Sequence, residues 1–259
     1  MSCSTISTIN KYMLSSSKVG ISPLAFYNVI STSNLILAYS FEPYTISGTS
    51  VGNLASGSVV YDATVTSSSA IISTNPKFGT GSLSNASIMT INKTFTLSTN
   101  GITISYWNRA TSMNSTNGAG LFAFTSGTST SPTNHTIFLE NPSNNNYTIQ
   151  YYDTSTWRLP YSKAGNASIA DSAYHHYVMT ITYGSATNST AVFYVDNSQT
   201  SNTSYYYPDT TLSYGNFSYL NGSYTGSTVV GNTGNMANFR LYNRVLTGTE
   251  IGQLYTNGW

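Results

Sequence analysis

Acidic residues are the first candidates for chemistry, because enzymes that cleave glycosidic bonds use two carboxyl groups that flank the bond. Two such acids on one strand would have a spacing of two positions, because residues at that spacing face the same side. No two of the acids have it: Glu42, Asp62, Glu140, Asp153, Asp171, Asp196, Asp209 and Glu250. No nucleophile elbow for Ser-His-Asp catalysis is present either. The sequence therefore predicts no catalytic residues and no enzyme activity.

Metal ligands are the next possibility. His175 and His176 are adjacent, and neighbours on a strand face opposite sides, so only one could enter a given site. No acid or cysteine lies beside them at ligand spacing, which favours histidines that are packed or at the rim. Calcium needs few carboxylates, and Glu42, Asp62 and Asp153 are possible donors. No recognisable calcium loop contains them, so the sequence predicts caps and turns, no metal and no cofactor.

Aromatic residues remain as binding groups, since a tyrosine offers both a flat apolar face and a hydroxyl to a sugar or a protein. They form two dense groups, one around Trp157 and one from Tyr205 to Tyr224. Adjacent rings on a strand face opposite ways, so at least one ring of the run 205–207 must be exposed or covered by a partner. The alternative is that many of these rings belong to a core. The predicted ligand-binding residues are Trp157, Tyr205, Tyr206, Tyr207 and Tyr219.

Charge is scarce along the chain. Only 7% of residues are charged and the net charge is +1, whereas about a quarter of an ordinary globular protein is charged. The nine lysines and arginines are scattered, which excludes nucleic acid as a main partner. Hydrophobic residues make up 39% of the chain, and this is enough to form a core. No apolar run approaches the length of about 20 residues that a membrane span requires.

The beginning of the chain differs from the rest. Residues 1–33 are rich in Ser and Thr, and we expect them to be an arm or linker outside a domain at 34–259. No signal peptide is recognisable there. Cys3 is the only cysteine, so no internal disulfide is possible and folding in a reducing cytosol is allowed.

The remaining sequence is dominated by period-two segments, which are typical of strands. Gly101 to Trp107 is one example, and Tyr177 to Val195 is predicted to be a hairpin that ends in the turn Asp196-Asn197. One helix is predicted at the end, because Thr247 and Glu250 have the spacing of a capping box. Further strands are predicted at 35–41, 58–61, 87–91, 121–125, 136–139, 147–152, 228–231 and 238–242.

Taken in order, several of these stretches resemble the laminin-G-like, or concanavalin A-like lectin/glucanase, family. The similar segments are Leu35 to Glu42, Lys77 to Leu83, Ile102 to Trp107, Tyr174 to Asp196 and Phe239 to Tyr255, with Tyr174 standing where the family hairpin has Trp. The resemblance implies an all-β jelly roll of two antiparallel sheets with one short C-terminal helix. It also implies that the first and last strands are adjacent, so we expect Leu35 to Phe41 to pair with Asn238 to Tyr242.

Two classes of function fit these observations. The first is a non-catalytic, lectin-like module that recognises glycans or other surface ligands. The alternative is a structural or interaction protein of an assembled particle, such as a viral capsid or fibre component, in which neutral tyrosine-rich faces contact neighbouring subunits. In either case single rings bind weakly, so we expect a multivalent assembly. The expected location is a virion or another extracellular-facing surface.

Overall fold

The computed structural model describes most of the chain after residue 31. The described residues are 32–56, 60–66, 71–72, 76–84, 87–97, 101–110, 119–125, 136–141, 146–153, 156–164, 171–182, 189–205, 212–214, 218–225, 228–231 and 234–258. The expected arm at 1–33 therefore lies almost wholly outside the described residues and stays a prediction.

Two antiparallel sheets contain most of the described strands. Sheet 1 has eight strands: β1 (Leu35–Tyr39), β5 (Ile71–Ile72), β6 (Ser82–Leu83), β9 (Ile102–Ala110), β14 (His175–Thr182), β15 (Ser189–Val195), β16 (Ser198–Tyr205) and β21 (Gly234–Tyr242). Sheet 2 has nine: β2 (Ile46–Ser47), β3 (Ser50–Asn53), β4 (Val60–Val65), β7 (Met89–Ile91), β10 (Ala119–Thr125), β11 (Thr136–Asn141), β12 (Asn146–Asp153), β13 (Thr156–Ala164) and β18 (Ser218–Leu220).

Two short strand pairs and one helix complete the described fold. The pairs are β8 (Phe95–Leu97) with β17 (Leu212–Tyr214), and β19 (Gly222–Thr225) with β20 (Thr228–Gly231). The helix α1 spans Gly248–Asn257. Short 3-10 turns lie at Pro43–Thr45 and Leu54–Ser56. This arrangement confirms the predicted all-β jelly-roll sandwich with one C-terminal helix.

The predicted pairing of the first and last strands is confirmed. Leu35 pairs with Tyr242 and Tyr39 with Phe239, while β9 pairs along the other side of β21. The strand begins earlier than predicted, at Gly234. Asn238 has a φ of 46° and lies in an irregularity of the ladder between Ala237 and Arg240, which breaks the period-two pattern that the prediction relied on.

The core lies between the facing sides of the two sheets. Aromatic rings form its centre: Tyr106 of β9 stacks on Tyr177 of β14 at 5.4 Å and meets Phe122 of β10 edge-on at 6.2 Å. Phe122 in turn contacts Phe239 of β21 at 6.2 Å. These four residues are at most 5% exposed. Many of the chain's aromatic side chains are therefore core, as the alternative interpretation of the sequence allowed.

The predicted hairpin and helix both form. β14 pairs with β15, and Asp196 and Asn197 occupy the two-residue turn between β15 and β16 with φ of 49° and 64°. Thr247 caps α1 by accepting from the Glu250 amide, and the Glu250 carboxylate accepts from the Thr247 amide at 2.8 Å. The helix covers the outer side of sheet 1, where Ile251 and Leu254 are fully buried.

Candidate functional site

Tyr219, one of the predicted ligand-binding residues, lies on the outer side of sheet 2. Tyr219 lies in β18 between Ser218 and Leu220, both of which are 0% exposed. Because neighbours on a strand face opposite sides, the ring of Tyr219 points away from the core, and it is half-buried. Its place in an inner strand of the sheet makes this ring part of a broad surface rather than of a free edge.

Strand register defines the neighbours of this ring. Tyr219 pairs with Ala123 of β10 on one side and with Thr90 of β7 on the other, and Thr90 pairs with Thr64 of β4. Each of these three partners stands between two buried residues of its own strand, so all three also face outward. We call the row Thr64, Thr90, Tyr219 and Ala123 the Tyr219 face.

The Tyr219 face is uncharged and rich in hydroxyl groups. Thr64 and Thr90 are half-buried; Thr90 is the cross-strand neighbour of Tyr219, and Thr64 is on the next strand. Exposed Asn92 adds an amide, whose Nδ2 lies 3.4 Å from Oγ1 of Thr64. A ring with neighbouring neutral donors and acceptors suits a ligand that has both apolar C–H patches and hydroxyls.

One end of the Tyr219 face is closed by the chain itself. Asn221 follows β18 with a φ of 59° and is fully buried, and its Nδ2 donates to the carbonyl oxygens of Ser84 and Ser87 at 2.9 and 3.0 Å. After this turn, the β19–β20 hairpin lies against β10. Ala123 is only 1% exposed although it faces outward. The face is thus covered at Ala123 and accessible from Tyr219 to Thr64.

The other predicted binding residues lie elsewhere. Trp157 is in β13, paired with Tyr152, and Tyr205 ends β16, paired with Ser189; the backbone alone is described at these positions. β13 and β16 are edge strands of different sheets and lie beside each other. β13 is four strands from β18, about 19 Å at the usual strand spacing. Tyr206 and Tyr207 lie outside the described residues.

The sequence did not identify Thr64 and Thr90 as members of this site. Each sits in an apolar-Thr-apolar triplet, Ala63-Thr64-Val65 and Met89-Thr90-Ile91, which signals an outward polar position on a strand. What the sequence lacks is the pairing of these strands with β18, because register between strands that are distant in the chain is set by the whole sheet.

The two histidines occupy different environments. His176 is 1% exposed and stacks on Trp107 at 4.9 Å, with Nε2 at 2.9 Å from Oγ of Ser105. Burial, followed by the charge of Arg240, lowers the pKa of His176 to about 3, so it is neutral near pH 7. His175 lies at the rim and contacts Asp196 and Asp171. The sequence analysis did not identify these acids as partners of His175. Asp171 precedes β14, and Asp196 is brought close by the hairpin turn.

Glu42, one of the possible calcium donors, is bound by the protein itself. Its carboxylate is buried and accepts from the Thr80 amide at 3.0 and 3.1 Å and from the Thr80 hydroxyl at 2.8 Å. Gly79 makes this contact possible, because a Cβ there would lie 1.9 Å from Oε1 of Glu42. Asp62 and Asp153 lie in β4 and β12 of sheet 2. In the described part of the chain, no three His, Cys, Asp or Glu residues gather as a metal site.

The outer side of sheet 1 is covered at Trp107. Trp107 is 3% exposed, because Tyr255 of α1 stacks on it at 5.6 Å and the ammonium of Lys77 lies 4.0 Å from its ring centroid. Tyr255 itself is 37% exposed. Within the described ranges, no helix is long and apolar enough to cross a membrane.

Two antiparallel sheets around one core, with the first and last strands paired, define a lectin-like β-sandwich. A family model places the chain more narrowly: the Concanavalin A-like lectin/glucanases superfamily matches residues 81–252. The chain belongs to this superfamily, as the resemblance of its motifs predicted. No curated protein matches the sequence significantly.

Solved structures show the same fold at low identity. Domain 4 of AbnA, a GH43 extracellular arabinanase from Geobacillus stearothermophilus in complex with arabinotriose, is 16% identical with a TM-score of 0.58, over 86% of this chain and 99% of that one. The botulinum neurotoxin serotype G binding domain is 15% identical with a TM-score of 0.59, over 87% and 51%. The Trypanosoma rangeli sialidase is 14% identical with a TM-score of 0.56, over 89% and 34%. The chain thus spans about half of the toxin domain and a third of the sialidase.

Proposed function

We propose that this chain is a non-catalytic, lectin-like module that binds glycans through the Tyr219 face. The observation that carries the proposal is the half-buried ring of Tyr219 in a row of uncharged residues, with Thr90 beside it and Thr64 on the next strand. The ring can pack against the C–H face of a sugar, while the hydroxyls exchange hydrogen bonds with the hydroxyls of the sugar.

The comparisons support a sugar as the ligand. The arabinanase domain that matches over nearly its whole length was solved with arabinotriose, an uncharged oligosaccharide. The toxin domain is named for binding, and the family name includes lectins. The glucanases of the family and the sialidase are hydrolases, so catalysis has to be weighed against binding for this chain.

The described carboxylates favour binding over hydrolysis. Glu42 is engaged by Thr80, Glu250 by Arg244, and Asp171 and Asp196 by His175. None of these four acids belongs to the Tyr219 face. A glycosidase requires an acid and a second carboxylate on either side of one bond, and the eight acids of the sequence contain no such pair at strand spacing.

The test compares Tyr219→Ser with the parent on an array of neutral oligosaccharides that includes arabinotriose. In proteins that bind single-stranded nucleic acid, removing one aromatic ring that stacks on a base costs about 1–3 kcal/mol. We therefore expect the affinity for the oligosaccharide to fall about 5-fold or more. Tyr44→Ser is the matched control, because Tyr44 is 66% exposed and precedes β2 at the edge of sheet 2. Equal binding by parent and Tyr219→Ser, or equal losses in both variants, contradicts the proposal.

Weak single sites would gain affinity through repetition, so we further propose that the chain acts in a multivalent assembly on a virion or another extracellular-facing surface. Support comes from the low charge, 7% of residues, which suits close contact between neutral surfaces. On the alternative function, a structural component of such a particle, the Tyr219 face would contact a neighbouring subunit. Glycan binding by the isolated chain distinguishes the two functions.

A further inference from the structure

One imidazole at the end of sheet 1 lies between two carboxylates. Nδ1 of His175 is 2.6 Å from Oδ2 of Asp196, and its Nε2 is 3.2 Å from both carboxylate oxygens of Asp171. A neutral imidazole carries one N–H and can donate to only one of these acids. The imidazolium carries two, so it alone satisfies both contacts. The geometry therefore favours the protonated form of His175.

The two contacts differ in how firmly the acid is held. Asp196 is fixed by the hairpin turn, because its Oδ1 accepts from the His176 amide at 2.9 Å and its own amide donates to the His176 carbonyl at 2.9 Å. Asp171 is more exposed, and its Oδ1 accepts from the Ala173 amide at 2.8 Å. When His175 loses a proton, the shorter contact to Asp196 keeps the remaining N–H. The lone pair of Nε2 then faces the Asp171 carboxylate.

Charged groups from several segments surround His175. Asp171 precedes β14, Asp196 ends the hairpin, and Lys77, from the segment before β6, interacts electrostatically with Asp196. Arg109 of β9 donates from Nε to the Ser172 carbonyl at 2.6 Å. The adjacent His176 is neutral, and the ring of Tyr177 meets that of His175 edge-on at 6.5 Å. Partial burial lowers the pKa of His175, but hydrogen bonds and charge from Asp196 and then Asp171 outweigh burial and raise it above 6.5.

We propose that His175 is a proton-operated latch, which fastens residues 171–173 to the end of sheet 1 when protonated and releases Asp171 when it loses its proton. The segment then remains held by the Ser172 amide, which donates to the Ala110 carbonyl at 3.0 Å, and by Arg109. Release is therefore a local opening and not unfolding of the sheet. The latch lies on the sheet opposite the Tyr219 face and does not depend on what that face binds.

The sign of the effect on stability follows from linkage. A folded-state pKa above the unfolded value means that the proton stabilises the fold fully below about pH 6.5, and that this stability is lost as the pH rises through the folded pKa. As the pH rises above 6.5, we expect the Tm of the parent to fall relative to that of His175→Gln. In His175→Gln the amide donates at any pH, so this component of the pH dependence is absent.

Two further measurements make the test independent of that variant. Asp171→Asn keeps the Asp196 contact and should lose part of the pH dependence. In the parent, NMR titration should show His175 changing protonation above pH 6.5, with the resonance assigned by its absence from His175→Gln, while His176 stays neutral down to about pH 3. The rate of amide hydrogen exchange at Ala173, measured relative to that in Asp171→Asn, should increase above the pH at which His175 loses its proton. Titration of His175 at or below 6.5, or parallel Tm curves for parent and His175→Gln, would overturn the latch.

Discussion

The outer faces of the two sheets differ in their surroundings although both are built from alternating strands. On sheet 1, Val178, Tyr242 and Leu246 are covered by Ile251 and Leu254 of α1 and form a second, smaller core. On sheet 2, the described outward positions from Thr64 to Tyr219 are half-buried and uncharged. Among the described residues, α1 thus accounts for the burial of the outer side of sheet 1, whereas the proposed binding surface lies on the outer side of sheet 2.

Several specific contacts hold α1 in place. Arg244 forms a two-pronged ion pair with Glu250, with distances of 2.6 and 3.0 Å. Gly258 ends the helix with a φ of 68°, and its carbonyl accepts from Arg240 at 2.6 Å and Asn238 at 3.2 Å. These contacts hold α1 against sheet 1. On sheet 2, Asn92 donates from Nδ2 to Oγ1 of Thr64 at 3.4 Å, next to the proposed binding surface.

The largest effect should come from removing an apolar side chain beneath α1. Leu254 is fully buried, so Leu254→Ala should lower the free energy of unfolding by about 2–5 kcal/mol through lost burial and the cavity left behind. Thr90→Ala on the Tyr219 face is the matched control, and it should change the free energy of unfolding by about 0.5 kcal/mol or less. Chemical denaturation measures both. Similar losses in the two variants would mean that the Tyr219 face is structural too.

A smaller effect should follow from removing the helix cap. Thr247→Ala deletes the hydroxyl that accepts from the Glu250 amide and should cost about 1 kcal/mol. Thr247→Ser retains the hydroxyl and is the control. Glycan binding at the Tyr219 face should be unchanged in both when measured at equal folded concentration. A loss of binding in Thr247→Ala alone would show that the two outer faces are coupled.

The fold is easier to predict from this sequence than the candidate site. Local signals were sufficient for the Thr247 capping box, the Asp196-Asn197 turn and the alternation of the central strands. β16, with the sequence Ser-Gln-Thr-Ser-Asn-Thr-Ser-Tyr, has no apolar alternation and was missed, because pairing with β15 rather than its own pattern makes it a strand. The density of aromatics pointed to Tyr219 but not to its threonine neighbours, since their positions depend on register across four strands.

An NMR titration of the labelled chain with a neutral oligosaccharide that it binds on the array locates the binding surface. Binding through the Tyr219 face should give the largest amide shifts at Tyr219, Thr90 and Thr64 and leave residues 248–257 of α1 unaffected. Shifts centred on α1 and the Trp107 cluster, or shifts confined to the β13–β16 edge, would contradict binding through the Tyr219 face.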